Sequence, residues 1–198
     1  MTTRLDTPSK EQIALLPEFE RLGPQRIALV STAEQAQRAN AELRTAAVWG
    51  FDTESKPTFV KDQVSDGPHI VQLATLDRAW VFQLHDSECR AIVAQLLAST
   101  DFTKAGFGLG DDRRRIHSKL GVQAGDVLEL NTIFHQRGYR KDMGVKGAVA
   151  VLFNQRFIKS KKAATSNWSL PNLSPAQVLY AANDAYAAVR VFHALGLT

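Results

Sequence analysis

Residues 46–54 read Ala46-Ala47-Val48-Trp49-Gly50-Phe51-Asp52-Thr53-Glu54, and this stretch decides the fold. Ala46 to Phe51 is a continuous apolar run of strand length, the pattern of a strand buried inside a sheet. Asp52 and Glu54 follow at once, and in a strand residues i and i+2 point to the same side. Two carboxylates therefore share one face at the end of a central strand. Like charges that close repel and raise one pKa unless a cation neutralises them, and hard oxygen donors suit Mg²⁺ or Mn²⁺. Alone, Asp-x-Glu is equally the pattern of two solvated acids at a strand end.

Outward from this strand, the chain alternates strands and helices from Arg26 onward, the signature of an α/β domain built on a central sheet. Arg26 to Val30 predicts a short strand, and Ser31 or Thr32 caps a helix over Ala33 to Leu43. Ile70 to Thr75 and Trp80 to Leu84 predict an antiparallel hairpin. A helix over Cys89 to Leu97, a strand over Phe102 to Phe107, a helix from near Asp111 and a strand over Val127 to Leu130 follow. Asn131 to Gln136, Val145 to Phe153 and Pro175 to Leu195 predict helices, with the polar stretch Lys159 to Pro171 between the last two.

The last helix has the clearest start signal. Ser174 with Gln177 makes a capping box, Pro175 occupies the first helical position, and Leu173 with Val178 forms a hydrophobic staple. This register puts Tyr180 and Asp184 on one face, and gives a buried stripe of Val178, Ala182, Ala185, Val189 and Phe192. Small residues around Asp184 let the helix lie close to the sheet, and a charge carried into so apolar a setting needs a partner.

Gly106, Gly108 and Gly110 link a strand to a helix, which invites a dinucleotide-binding reading. The chemistry excludes it. Asp111 stands where the third glycine belongs and Asp112 follows, so two carboxylates would oppose a pyrophosphate at the helix N-terminus. The Gly-Lys-Ser or Gly-Lys-Thr of a P-loop is also missing. An acid at this place favours the helix dipole, while the other acid is free to point into a site.

Taken together, Phe51-Asp52-Thr53-Glu54, then Lys104-Ala105-Gly106-Phe107-Gly108 leading to Asp112 and Ile116, then Tyr180-Ala181-Ala182-Asn183-Asp184, resemble the three motifs of the DEDDy 3′–5′ exonucleases. Ile70-Val71-Gln72-Leu73-Ala74 and Ser166-Asn167-Trp168 are similar to the ribonuclease D and Werner-syndrome-type branch. The resemblance spans about Ala46 to Phe192 and implies a ribonuclease H-like fold, a mixed central β-sheet with flanking helices. The family places its second aspartate four residues before a helical apolar residue; Ile116 stands at that distance from Asp112, which leaves Asp111 as a helix cap or an outer acid. The histidine subclass has its histidine five residues before the last aspartate, where this chain has Leu179.

The resemblance implies hydrolysis of the terminal phosphodiester at the 3′ end of DNA or RNA, releasing nucleoside 5′-monophosphates with two divalent ions, Mg²⁺ or Mn²⁺. Asp52 bridges both ions, Glu54 and Asp184 complete the first site, Asp112 holds the second, and Tyr180 orients the attacking water. Backbone amides near Thr53 meet the terminal nucleotide. Werner-type members often carry an aromatic two residues after the second aspartate; here it is Arg114, a candidate with Arg113 and Arg115 to follow a phosphate backbone, or else part of a solvated helix face. Lys159, Lys161 and Lys162 are candidates to neutralise backbone phosphates, and Trp168 either stacks on a base or anchors its loop in the core. The alternatives are a catalytically silent nucleic-acid-binding or assembly module of the same fold, and a small nucleotide phosphohydrolase.

Composition sets outer bounds. The chain has 198 residues, 44% hydrophobic and 22% charged, which suits a folded protein of one domain, or at most two small ones. The expected division is an N-terminal extension over residues 1–25 and one exonuclease domain over 26–198. A single cysteine, Cys89, excludes an internal disulfide, and the five histidines show no metal-ligand spacing. Neither a signal peptide nor a membrane span is legible, so an intracellular, cytoplasmic, soluble protein is expected, with no membrane partner. Ribonuclease D proper carries further helical domains after the exonuclease, whereas this chain ends soon after the last motif, so substrate choice is expected to come from loops or partners. A homo-oligomer or a helper nucleic-acid-binding protein is left open. The net charge of +4 conceals a division: Arg137 to Lys162 holds eight basic residues and one acid, Asp142. The remainder is acidic, an arrangement that suits a polyanion drawn by cations toward carboxylates.

Overall fold

The computed structural model describes residues 5–57 and 66–197. A short helix α1 (Lys10–Ala14), capped by Ser9, precedes β1 (Ile27–Val30) and α2 (Ala33–Leu43). Thr32 is the N-cap of α2: its hydroxyl accepts from the Gln35 amide, and the Gln35 side chain returns a bond to the cap backbone. Next come β2 (Val48–Glu54), β3 (Ile70–Ala74), β4 (Ala79–Gln83) and α3 (Ser87–Ala98), then β5 (Thr103–Gly106), α4 (Gly110–Leu120), β6 (Val127–Glu129) and α5 (Leu130–Gln136). Helices α6 (Gly144–Phe153), α7 (Lys161–Ala164) and α8 (Pro175–Ala194) complete the chain.

The strands form one sheet in the order β1-β4-β3-β2-β5-β6. Strand β3 runs antiparallel to both neighbours, while β2 with β5, β5 with β6, and β1 with β4 are parallel. This is a mixed α/β sheet with helices on both faces. The acids extend the apolar run as part of the same strand rather than following it: β2 continues through Glu54 because β3 supplies partners, Gln72 opposite Asp52 and Ile70 opposite Glu54. Backbone pairing, which apolarity does not report, sets the end of the strand.

Alternation along β2 sorts its side chains between two cores. Trp49 and Phe51 join Val93, Leu97 and Ile116 on the α2/α3/α4 side. Gly50, Asp52 and Glu54 face the other side, where α8 packs. A Cβ added at Gly50 would lie 1.9 Å from the Ala185 carbonyl oxygen, so strand and helix touch backbone to backbone.

Helix α8 is buried almost all round, from Ala181 to Val189, whereas the expected stripe covered one face and included Val178, which is only half-buried. The reason lies outside the helix. Phe19 and Leu22 pack into the same core as α6 and α8, and Leu22 donates its N–H to Asn183 Oδ1 at 2.8 Å while accepting from Asn183 Nδ2 at 3.3 Å. Polar Asn183 is thereby satisfied in a buried position. Within the polar stretch 159–171, Ser160 caps the short helix α7, an element whose length is below what periodicity detects.

Candidate active site

Carboxylate oxygens of Asp52, Glu54 and Asp184 lie within 4.8 Å of one another, two from the end of β2 and one from α8. The glycine contact at Gly50 brings the two elements close enough for this, and capping of α8 by Ser174 fixes its register. Burial pushes the Asp52 carboxyl up to about 8, with the nearby Asp184 charge acting in the same direction and Lys159 against it. Glu54 is raised to about 9, again by burial first and by Asp52 second. Asp184, 4% exposed, is raised by burial despite the cation beside it.

That cation is Lys159, whose Nζ lies 2.7 Å from Asp184 Oδ2. Burial pulls its pKa down, yet Asp184, Asp52 and Glu54 hold it above the ordinary lysine value. Expected on a phosphate track, Lys159 instead stands within the acid cluster. Lys161 and Lys162, on α7, are exposed.

The second motif reaches the site through Thr53. Its N–H donates to Asp52 Oδ1 at 2.9 Å, and its hydroxyl donates to Asp112 Oδ1 in a short bond that ties β2 to α4. Thr53 is buried, so its amide is committed within the protein. Asp112 lies outside the cluster of three, but its charge adds to the upward pressure on Asp52 and Glu54. Its own pKa is raised by burial, against the Thr53 bond. Asp111 points away, exposed and ion-paired with Arg114. It is not the cap of α4: Leu109 holds that position without a side-chain bond, and its N–H donates to Glu129 Oε2 at 2.8 Å. Arg114 is exposed.

Tyr180 sits one turn before Asp184. Burial, and then the Asp184, Glu54 and Asp52 charges, push its phenol well above the ordinary tyrosine value, so it is a neutral donor. Trp168 packs behind it, ring centroids 6.0 Å apart, and is 1% exposed. The indole is therefore a core anchor in this structure, not a surface on which a base could stack. A cavity of about 400 Å³ opens beside the acids, lined among others by Asp52, Phe107, Gly108, Asn131, Lys159 and Asp184.

The donor set fits a divalent cation. All three clustered groups offer hard oxygens, Asp184 Oδ1 is buried without a hydrogen-bond partner among the described residues, and the pKa values of Asp52 and Glu54 are raised by burial first and by the neighbouring acids second. Sequence reasoning missed the inward position of Lys159, although the need of a buried Asp184 for a counter-charge was its signal. It also left unremarked that Gln72, opposite Asp52, is fully buried with both amide atoms unpartnered among the described residues.

Among the described residues no helix is long and apolar enough to cross a membrane. The chain is 27% identical over 149 residues to a 3′-5′ exonuclease of Arabidopsis thaliana, covering 74% of this chain and 51% of that protein. It is 26% identical to the bifunctional 3′-5′ exonuclease/ATP-dependent helicase WRN of Mus musculus over 78% of this chain and 11% of that protein. The chain thus spans about half the length of the first relative and a small part of the second. Among solved structures, the EXO domain of Aedes aegypti Nibbler superposes with a TM-score of 0.74 at 19% identity, covering 89% of each chain. Trypanosoma brucei RNase D in complex with RNA U12 superposes with a TM-score of 0.75 at 20% identity, covering 93% of this chain and 64% of that one. These neighbours share the ribonuclease H-like fold of RNase D-type exonuclease domains. A family model described as 3′-5′ exonuclease matches residues 27–198, most of the length, and the chain belongs to that 3′–5′ exonuclease family.

Proposed function

We propose that residues 26–198 form a catalytic unit of the DEDDy type, which hydrolyses the terminal phosphodiester at the 3′ end of a DNA or RNA strand and releases nucleoside 5′-monophosphates. The observation that carries this reading is the convergence of Asp52, Glu54 and Asp184 oxygens within 4.8 Å beside a cavity of nucleoside size. Asp52, Glu54 and Asp184 would hold one divalent ion, and Asp112 with the shared Asp52 a second; Mg²⁺ or Mn²⁺ suits all-oxygen donors. Such ions supply an activated water and neutralise the leaving oxygen in an in-line displacement.

The protein's own groups do the rest. Tyr180 stays protonated and positions water by hydrogen bonding, since its raised pKa argues against a phenolate base. Thr53 holds Asp52 and Asp112 in fixed relation through its amide and hydroxyl. Lys159 places a positive charge at the edge of the cavity, where a phosphate oxygen would approach. The RNA bound by T. brucei RNase D, which shares the fold, supports a polynucleotide strand as substrate.

The test is a panel of 3′-labelled single-stranded DNA, duplex DNA and RNA, each with Mg²⁺, Mn²⁺ or chelator, with products identified as 5′-mononucleotides. Asp52→Asn is the inactive control. A second reading, a silent nucleic-acid-binding or assembly module, draws on Lys159, which already places a cation among the acids. Strand binding with no cleavage of any polymer in Mn²⁺ would favour it.

A further inference from the structure

A second cavity, of about 180 Å³, shares no lining residue with the larger one among the described residues. Arg90 from α3, Lys119 from α4, His69, His85 and Trp168 line it, and Asp66 is the one carboxylate in its wall among the described residues. Its distance from the chemistry is short. The His69 N–H donates to the Glu54 carbonyl oxygen at 2.9 Å, and Trp168 packs on Tyr180.

Three features make this a built anion site. First, Trp168 Nε1, a donor with no acceptor capacity, is buried and unpartnered among the described residues, although the cavity touches this residue. A buried N–H without an acceptor is unfavourable, so an acceptor that reached it would be strongly retained. Second, the loop that carries Trp168 is fixed: Gln83 Nε2 donates to the carbonyl oxygens of Leu170 and Pro171 at 3.2 and 3.1 Å, and Gln177 Nε2 donates to Ser166 Oγ at 3.0 Å. Third, among the described residues the wall holds more cations than acids. Arg90 is held by one bond to the Leu84 carbonyl oxygen at 3.0 Å, Lys119 forms no hydrogen bond or ion pair among the described residues, and Asp66 is largely exposed, 3.4 Å from His69 Nε2.

The volumes divide the substrate. A nucleoside fits the larger cavity, which Asp52 and Asp184 line, and a phosphate group the smaller, which His69 joins to the Glu54 backbone. We propose that the cavity between Arg90, Lys119 and Trp168 binds a backbone phosphate of the substrate strand upstream of the nucleotide being removed. The proposal rests on the exonuclease reading, and it makes the enzyme depend on more of the strand than its last nucleotide.

The experiment measures binding and hydrolysis separately. Fluorescence anisotropy with 5′-labelled dT12 and rU12 in chelator reads strand binding without turnover. Lys119→Gln should weaken the bound oligonucleotide about tenfold and lower the slope of log affinity against log salt by about one. Trp168→Phe, which keeps an aromatic ring but removes the donor and part of the indole, should weaken it in the same direction. Hydrolysis of the p-nitrophenyl ester of thymidine 5′-monophosphate in Mn²⁺ tests a substrate without an upstream phosphate, and the loss in Lys119→Gln should be confined to the oligonucleotides. Unchanged oligonucleotide affinity in Lys119→Gln would overturn the proposal. So would weaker inhibition by inorganic phosphate or thymidine 5′-monophosphate with strand affinity intact, which would mark the cavity as a free-phosphate or product site. If wild-type protein cleaves neither ester nor polymer, the exonuclease reading fails on its own, while the anisotropy result still decides what the cavity binds.

Discussion

Lys159 Nζ lies 2.7 Å from Asp184 Oδ2, so an ammonium group stands at the carboxylates that are proposed to hold metal. A lysine there and a divalent ion would compete for the same charge. Lys159→Met should therefore tighten Mn²⁺ binding about tenfold, the equivalent of about 1.4 kcal/mol, as read by titration calorimetry. The same variant should destabilise the metal-free protein by about 3 kcal/mol in urea unfolding, because Asp184 loses its buried partner. Unchanged values in both measurements would count against the competition.

Asp112 and Asp111 are adjacent but point differently, one bonded to Thr53 and the other exposed beside Arg114. Asp112→Asn should lower kcat/KM on a 3′-labelled oligonucleotide by about 100-fold or more, whereas Asp111→Asn should stay within about twofold. Equal losses in the two variants would refute the assignment.

Tyr180→Phe removes a neutral donor, not a base. We expect kcat to fall by about 10- to 100-fold with metal affinity retained. The pH–rate profile of the wild type should show no limb from phenol ionisation below pH 10, since burial and three neighbouring acids hold the phenol above its ordinary range.

Metal-free stability should depend on pH in an unusual direction. Asp52 and Glu54 have folded-state values raised to about 8 and about 9, so between their ordinary values and these the folded state binds more protons than the unfolded. Stability must then fall as pH rises across that interval. Thermal unfolding in chelator should give a Tm that declines from pH 5 to pH 9, and saturating Mn²⁺ should flatten the decline while binding releases protons. A metal-free Tm that rises over the same range would contradict the buried acids.

Gly50→Ala tests the backbone contact that assembles the site. A Cβ there would meet the Ala185 carbonyl oxygen at 1.9 Å, so α8 must move and carry Asp184 with it. The expected cost is about 3 kcal/mol, at the upper end of the usual range for overpacking, measured by urea unfolding. Mn²⁺ affinity of the folded fraction should drop as well.

Much of this was legible in the chain. The apolar run ending in Asp52 and Glu54 marks a central strand with two acids on one face, because alternation is a local property of strands. Ser174, Pro175 and Gln177 set the register of α8 and hence the shared face of Tyr180 and Asp184, because capping is local too. The family resemblance separated Asp112 from Asp111 by the distance to Ile116, which the structure buries. Trp168 and Lys159 read less clearly. Both lie in a polar stretch that suggests exposure, yet one is a core anchor and the other an internal cation.

By itself, then, the sequence determined the strands and the longer helices in their order, the caps of α2 and α8 and the faces on which Asp52, Glu54 and Asp184 lie, all consequences of spacing within single elements, and its motifs together pointed to the family. Tertiary structure alone decided what meets across the sheet. The Gly50 contact that brings α8 onto β2, the closure of Asn183 by Leu22, the entry of Lys159 among the carboxylates and the second cavity under Trp168 each join residues far apart in the chain. Such contacts are set by packing and charge in three dimensions, and no period along the sequence encodes them.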